Sequence, residues 1–150
     1  MTKQEYVEKL SELRARVWAS VEAMSDEQMS SPMGEGKWSV KDTLGHLAAW
    51  EGETVNAFEQ KARGERPTIA DIKDFNAWNE VESGKRKDWS PEQIREELKS
   101  NRERLLEIVG NIPEDEKIWA PERATARLLS GLIDHDEHHL ESIRRFSETS

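Results

Sequence analysis

Cysteine is absent from the 150-residue chain, which excludes disulfide staples and any thiolate chemistry by the protein itself. Long hydrophobic runs are absent too. No window approaches the roughly 18 consecutive apolar residues that a membrane-spanning helix needs. The opening of the chain is too charged for a secretory signal peptide, so a cytoplasmic location is expected. Excess positive charge is also lacking: the net charge is −9. An acidic surface repels nucleic acid and anionic membranes, and neither is expected as a partner. Tyrosine and phenylalanine are scarce, at one and three, but there are six tryptophans. There is no glycine-rich phosphate loop, no serine in a nucleophile elbow, and no Glu-x-x-His pair of the diiron type.

What is present is helical periodicity. Charged and hydrophobic residues each make up 35% of the chain, a balance that suits one water-soluble, helix-rich domain over residues 1–150. Tyr6, Leu10, Leu13, Val17, Val21 and Met24 recur at steps of three and four, predicting an amphipathic helix near residues 2–24. Ser25-Asp-Glu-Gln reads as a cap opening one short turn, and the breakers of residues 30–36 read as a loop. Ser39 with Asp42 forms a short-armed capping box, with Trp38 placed to staple against the first turn of a second helix reaching about Arg63. A further helix is expected from Ile69 to about Lys87, carrying Phe75 and Trp78. Ser90-Pro91 opens a third long helix, whose buried side is marked by Ile94, Leu98, Leu105, Ile108 and Val109. The Glu/Arg-rich run 95–104 reads as its solvated face. A final helix covers about Thr125 to Phe146. Four long helices make an all-α four-helix bundle the economical architecture, and the long insertion after the second allows a crossover connection.

The chain has four histidines. His135 and His139 are four residues apart and point the same way as Leu128, Leu132, Ile143 and Phe146. His138 falls on the polar side with Asp134, Glu141 and Arg145. A lone histidine on an apolar stripe is usually a hydrogen-bonded core residue. Two at this spacing both need partners for their ring nitrogens, and a metal ion satisfies both. His46, at the edge of the second helix's apolar arc, is the candidate third ligand. Three imidazoles suit zinc or nickel and accommodate iron or manganese, with a position left for water or substrate. Glu51 falls near the centre of that arc, an unusual place for a carboxylate. It can serve as a general base, as a fourth ligand, or as the acceptor for a buried Trp or Arg. Asp42 and Asp136 are further carboxylates near the histidines. Trp50 is the tryptophan placed to line a pocket for a flat organic substrate.

The segment Trp38-Ser-Val-Lys-Asp-x-Leu-x-His46-Leu-Ala-Ala-Trp-Glu51, with His135-x-x-x-His139-x-x-x-Ile143, resembles the DinB/YfiT-like superfamily. Asp74-Phe-Asn-Ala-Trp-Asn79, Asp88-Trp-Ser-Pro-Glu and Asn101-Arg-Glu-Arg-Leu-Leu resemble its ClbS/DfsB branch more specifically. The resemblance spans roughly residues 5–146. It implies a four-helix bundle with a crossover and a divalent metal held by His46, His135 and His139. Characterised members of the family it resembles include thiol S-transferases, a metal-dependent maleylpyruvate isomerase and a cyclopropane hydrolase. The leading expectation is metal-dependent hydrolysis, or S-transfer from a low-molecular-weight thiol, on a small electrophile. A ClbS/DfsB-like protective protein that binds or hydrolyses a reactive metabolite without metal, in a stress response, is the alternative. ClbS-like members often lack the full histidine set, so retention of all three favours the metal-binding side. A homodimer through exposed helix faces is compatible with such a bundle.

Overall fold

The computed structural model describes residues 1–149. Among them the regular structure is helical, apart from an isolated antiparallel bridge between Pro32 and Ser39. The helices are α1 (Lys3–Val21), α2 (Asp26–Ser30), α3 (Val40–Ala62), α4 (Phe75–Lys85), α5 (Pro91–Gly110), α6 (Glu116–Trp119) and α7 (Ala124–Thr149), with a 3-10 turn at Thr68–Asp71. Residues cluster into two compact units. One comprises Met1–Met29 and the chain from Val109 onward; the other comprises Ser30–Ile108.

In the first unit, α1 begins at a capping box. Thr2 Oγ1 accepts from the Glu5 N–H (3.2 Å) and Glu5 Oε1 accepts from the Thr2 N–H (3.0 Å). Its apolar stripe buries Tyr6, Leu10, Leu13, Val17 and Val21, and the helix stops there, leaving Met24 in the turn beyond. The facing side of α7 is centred on Ala126, Leu129, Ile133, Asp136, Leu140 and Ile143. Of the expected stripe, Leu132 and Ile143 are buried, whereas Leu128 and Phe146 are half-buried, as are the two histidines that flank the core face. Tyr6 meets Ser130 and Arg14 meets Asp136, so α1 and α7 run parallel. Lys3 Nζ donates to the Gly110 and Ile112 carbonyls (2.6 and 3.0 Å), a cation satisfying orphan acceptors at a helix end. Trp119 packs its ring 5.6 Å from Tyr6 and donates its indole N–H to the Pro113 carbonyl.

In the second unit, α3 starts where the sequence predicts. Ser39 Oγ accepts from the Asp42 N–H (3.0 Å) and Asp42 Oδ2 accepts from the Ser39 N–H (3.1 Å). It ends before Gly64, whose φ of 75° is left-handed and therefore favours glycine. The single helix expected over residues 69–87 is instead the 3-10 turn followed by α4. Asp74 is the reason for the restart, since its side chain caps the Ala77 N–H (3.0 Å). Ser90 and Gln93 form the capping box of α5 (3.2 and 2.8 Å). Trp50 bonds Asn79 while Lys41 reaches the Lys87 and Trp89 carbonyls, so α4 runs antiparallel to α3. Asn101 donates to the Ala48 carbonyl, and Arg102 pairs with Glu51 and Arg104 with Glu59. These contacts advance together, so α3 and α5 are parallel neighbours and residues 63–90 form a crossover return. Gly52 permits the close approach: a Cβ there would sit 3.2 Å from Asn101 Nδ2.

Replacing Ser39 by Ala removes one arm of the α3 capping box. The expected loss is about 1 kcal/mol of unfolding free energy, read as a lower urea midpoint with an unchanged slope.

Candidate metal centre

On α7, the four-residue spacing of His135 and His139 places their rings 4.7 Å apart, edge to face at 85°. Both are half-buried. Burial lowers the pKa of His135, with the neighbouring His138 adding to the effect and Asp136 opposing it. His139 is lowered to about 4, first by burial and then by the charges of His135 and His138. Both imidazoles are therefore neutral near pH 7, the form that offers a lone pair to a cation. His138 is exposed, as its polar-face position implies, although its ring lies 4.8 Å from His139. Asp136, between the two rings in sequence, is turned into the core and pairs with Arg14 (3.5 Å).

His46 belongs to the other unit. It lies half-buried on α3, at the edge of the apolar arc. Its ring is 4.8 Å from that of Trp38. Trp38, the residue just before the Ser39 cap, thus lies on the histidine's side of the helix. Asp42, one turn before His46, serves the capping box.

Glu51 is 0% exposed, and its carboxylate accepts from the guanidinium of Arg102, itself 4% exposed. Of the roles open to it in the sequence, the one realised within this unit is acceptor for a buried arginine. Arg102 escaped the sequence reading because it lies in a charge-rich run. Its signal was its register, four after Leu98 and three before Leu105 on the apolar stripe. Arg14, four after Leu10 and three before Val17, was hidden in the same way. Trp50 donates its indole N–H to Asn79 Oδ1 (2.9 Å) and packs 4.2 Å from Trp78 and 5.7 Å from Phe75. It joins α3 to α4 through Asn79, the last residue of the Asp74–Asn79 motif.

Comparison with known proteins follows the same lines. The sequence profile of the DinB superfamily matches residues 9–143. YfiT from Bacillus subtilis (strain 168) is 25% identical over 150 residues, covering 97% of this chain and 84% of its own. Its solved structure, described as a probable metal-dependent hydrolase with an unusual four-helix bundle topology, matches with a TM-score of 0.73 at 22% identity, over 98% of this chain and 86% of that one. An uncharacterised protein from Escherichia coli UTI89 reaches a TM-score of 0.83 at 15% identity, over 99% and 94% of the two chains. The colibactin self-resistance protein ClbS, solved in complex with a dsDNA, gives 0.82 at 15% identity, over 97% and 94%. These structural likenesses establish the all-α four-helix-bundle class. The DNA belongs to ClbS. This architecture is therefore compatible with nucleic acid in one neighbour, and the contrary expectation for this chain rests on its acidic charge, not on its fold. No helix among the described residues is long and apolar enough to cross a membrane.

Two expectations test these electrostatics. Because His139 titrates near 4 when folded, against an ordinary value of 6.5, the unfolded chain binds a proton in that window that the folded chain refuses. Its contribution is complete above about pH 6.5 and is lost as pH falls towards 4. The melting temperature of metal-free protein should drop across that range, and the drop should be shallower in His139→Asn. Replacing Arg102 by Met deprives the dry Glu51 of its guanidinium and should cost about 3–5 kcal/mol. The same change at the half-exposed Arg104 should cost less than about 1 kcal/mol, both read by urea denaturation.

Proposed function

The chain belongs to the DinB superfamily, and from that premise we propose that it is a divalent-metal-dependent enzyme whose ion is held by His46, His135 and His139. The observation that carries the reading is the pair of neutral, half-buried imidazoles on one side of α7. Paired rings kept uncharged by burial are well suited as ligands. The donor set fits such a group: three nitrogens and no thiolate suit zinc or nickel and accommodate iron or manganese. The description of YfiT as a probable metal-dependent hydrolase supports the same reading.

A divalent ion supplies Lewis acidity, making a nucleophile available from water or a low-molecular-weight thiol near neutral pH. The chain's own residues then hold and orient. Asp136, locked to Arg14, fixes the turn of α7 that carries both histidines. Glu51, locked to Arg102, fixes α3 against α5 little more than one turn beyond His46. Glu51 thus acts here as a positioning residue, since its carboxylate is already engaged by a guanidinium. Hydrolysis of a small electrophile and S-transfer to it draw on the same activated nucleophile. The reaction belongs to one of these two types.

Protein purified without an affinity tag is expected to contain close to one equivalent of metal, and His135→Ala to lose at least about 90% of it together with any turnover of small electrophiles. Unchanged metal in that variant, measured by elemental analysis, refutes the ligand assignment. Tight, single-turnover binding of a reactive metabolite that is indifferent to chelators favours the sequestering alternative.

A further inference from the structure

α4 presents a packing anomaly. None of its residues is buried, and Phe75 and Val81 are 58% and 59% exposed. At the core-type spacing where an amphipathic helix carries apolar side chains, it carries Asn76, Asn79, Glu80 and Ser83. That polar stripe forms one wall of a cleft of about 690 Å³. Trp38 and Asp42, from the start of α3, and Lys87, just past α4, complete the lining. The volume is in the range of small-molecule sites.

The chemistry of the lining narrows the ligand. Trp50 Nε1 donates to Asn79 Oδ1. An indole N–H can only donate, so the Asn79 carboxamide is held with its oxygen towards Trp50 and its NH2 donors turned away from it. Asp42 and Glu80 disfavour an anion, and Lys87 disfavours a bare cation. The polar wall disfavours a flat apolar molecule. A molecule carrying both an ammonium and a carboxylate finds a partner for each.

We propose that this cleft binds a small zwitterion of amino-acid or dipeptide size. Trp38 is its apolar platform, Glu80 and Asp42 meet the ammonium, and Lys87 and the Asn79 amide meet the carboxylate. The Trp38 ring also touches that of His46, so a ligand against the indole lies next to a proposed metal ligand. As a substrate site the cleft rests on the metal-centre reading; as a binding site it stands without it.

The test is calorimetric titration of metal-free protein in EDTA with L-alanyl-L-glutamine, its N-acetyl form and its C-terminal amide. Saturable one-to-one binding of the zwitterion is expected, with each blocked terminus about tenfold weaker, the usual scale of one charge-assisted hydrogen bond. Glu80→Gln should erase discrimination against the N-acetyl form, and Lys87→Gln discrimination against the amide. Gly84 lines the cleft, and a Cβ there meets nothing within 4 Å, so Gly84→Phe should obstruct binding. Absence of saturable binding, equal binding of the blocked forms, or binding indifferent to both charge variants overturns the proposal. Zwitterion binding by a protein that purifies without metal upholds the cleft and removes only its substrate role. Full metal content without zwitterion binding overturns the cleft and leaves the metal reading intact.

Discussion

Two ionised side chains shielded from water set the geometry of the second unit. Glu51 and Arg102 sit in the apolar contact between α3 and α5. An unpartnered charge there would cost several kcal/mol. They meet only when the two helices run parallel with residue 51 level with residue 102, and a slip of one position strands both. Hydrophobic burial, which is non-directional, would tolerate such a slip far better. The Asn101 bond to the Ala48 carbonyl and the bare Cα of Gly52 belong to the same close approach. Parallel neighbours cannot be joined by a tight hairpin, so the long return through α4 follows from this pairing.

Arg14 and Asp136 do the equivalent work in the first unit, where α1 and α7 are also parallel. Asp136 immediately follows His135, so the ion pair that registers the helices also fixes the turn bearing both imidazoles. Burial disfavours their protonated forms, and the neighbouring histidine charges add to this. The packing that makes these rings poor cations makes them good ligands. The exposed His138, one residue from His139 on the same helix, differs only in the face it occupies.

Much of this architecture was legible because its signals are local. Ser39 with Asp42, and Ser90 before Pro91, marked helix starts correctly, since a cap is an interaction between residues three apart. The period of Tyr6, Leu10, Leu13 and Val17 marked the buried side of α1. Residues 69–87 were misread as one helix because Asp74 acts as a cap only where the chain bends to present it. On α7 the wheel grouped the histidines with Leu128, Leu132, Ile143 and Phe146; Leu132 and Ile143 are buried, while the histidines lie half-buried beside a face that also holds Leu129, Ile133, Asp136 and Leu140. Adjacent arcs of a strongly apolar helix differ by a single step, and the helix it packs against chooses between them.

Composition, periodicity and capping chemistry by themselves determined that this is an all-α chain of four long helices, without a thiol of its own, carrying two imidazoles on one side of the last helix. Partner choice was decided only in three dimensions. Arg102 looked like part of a solvated face, Glu51 kept three roles open, of which acceptor for a buried Trp or Arg was one, and Trp50 looked like a pocket wall. Their assignments, and that of Arg14, as buried pair members and as the clamp on Asn79 depend on side chains 29 to 122 residues away. Local rules reach one turn of helix, and the energy of a buried charge or an indole N–H is settled by whichever group the fold brings opposite it.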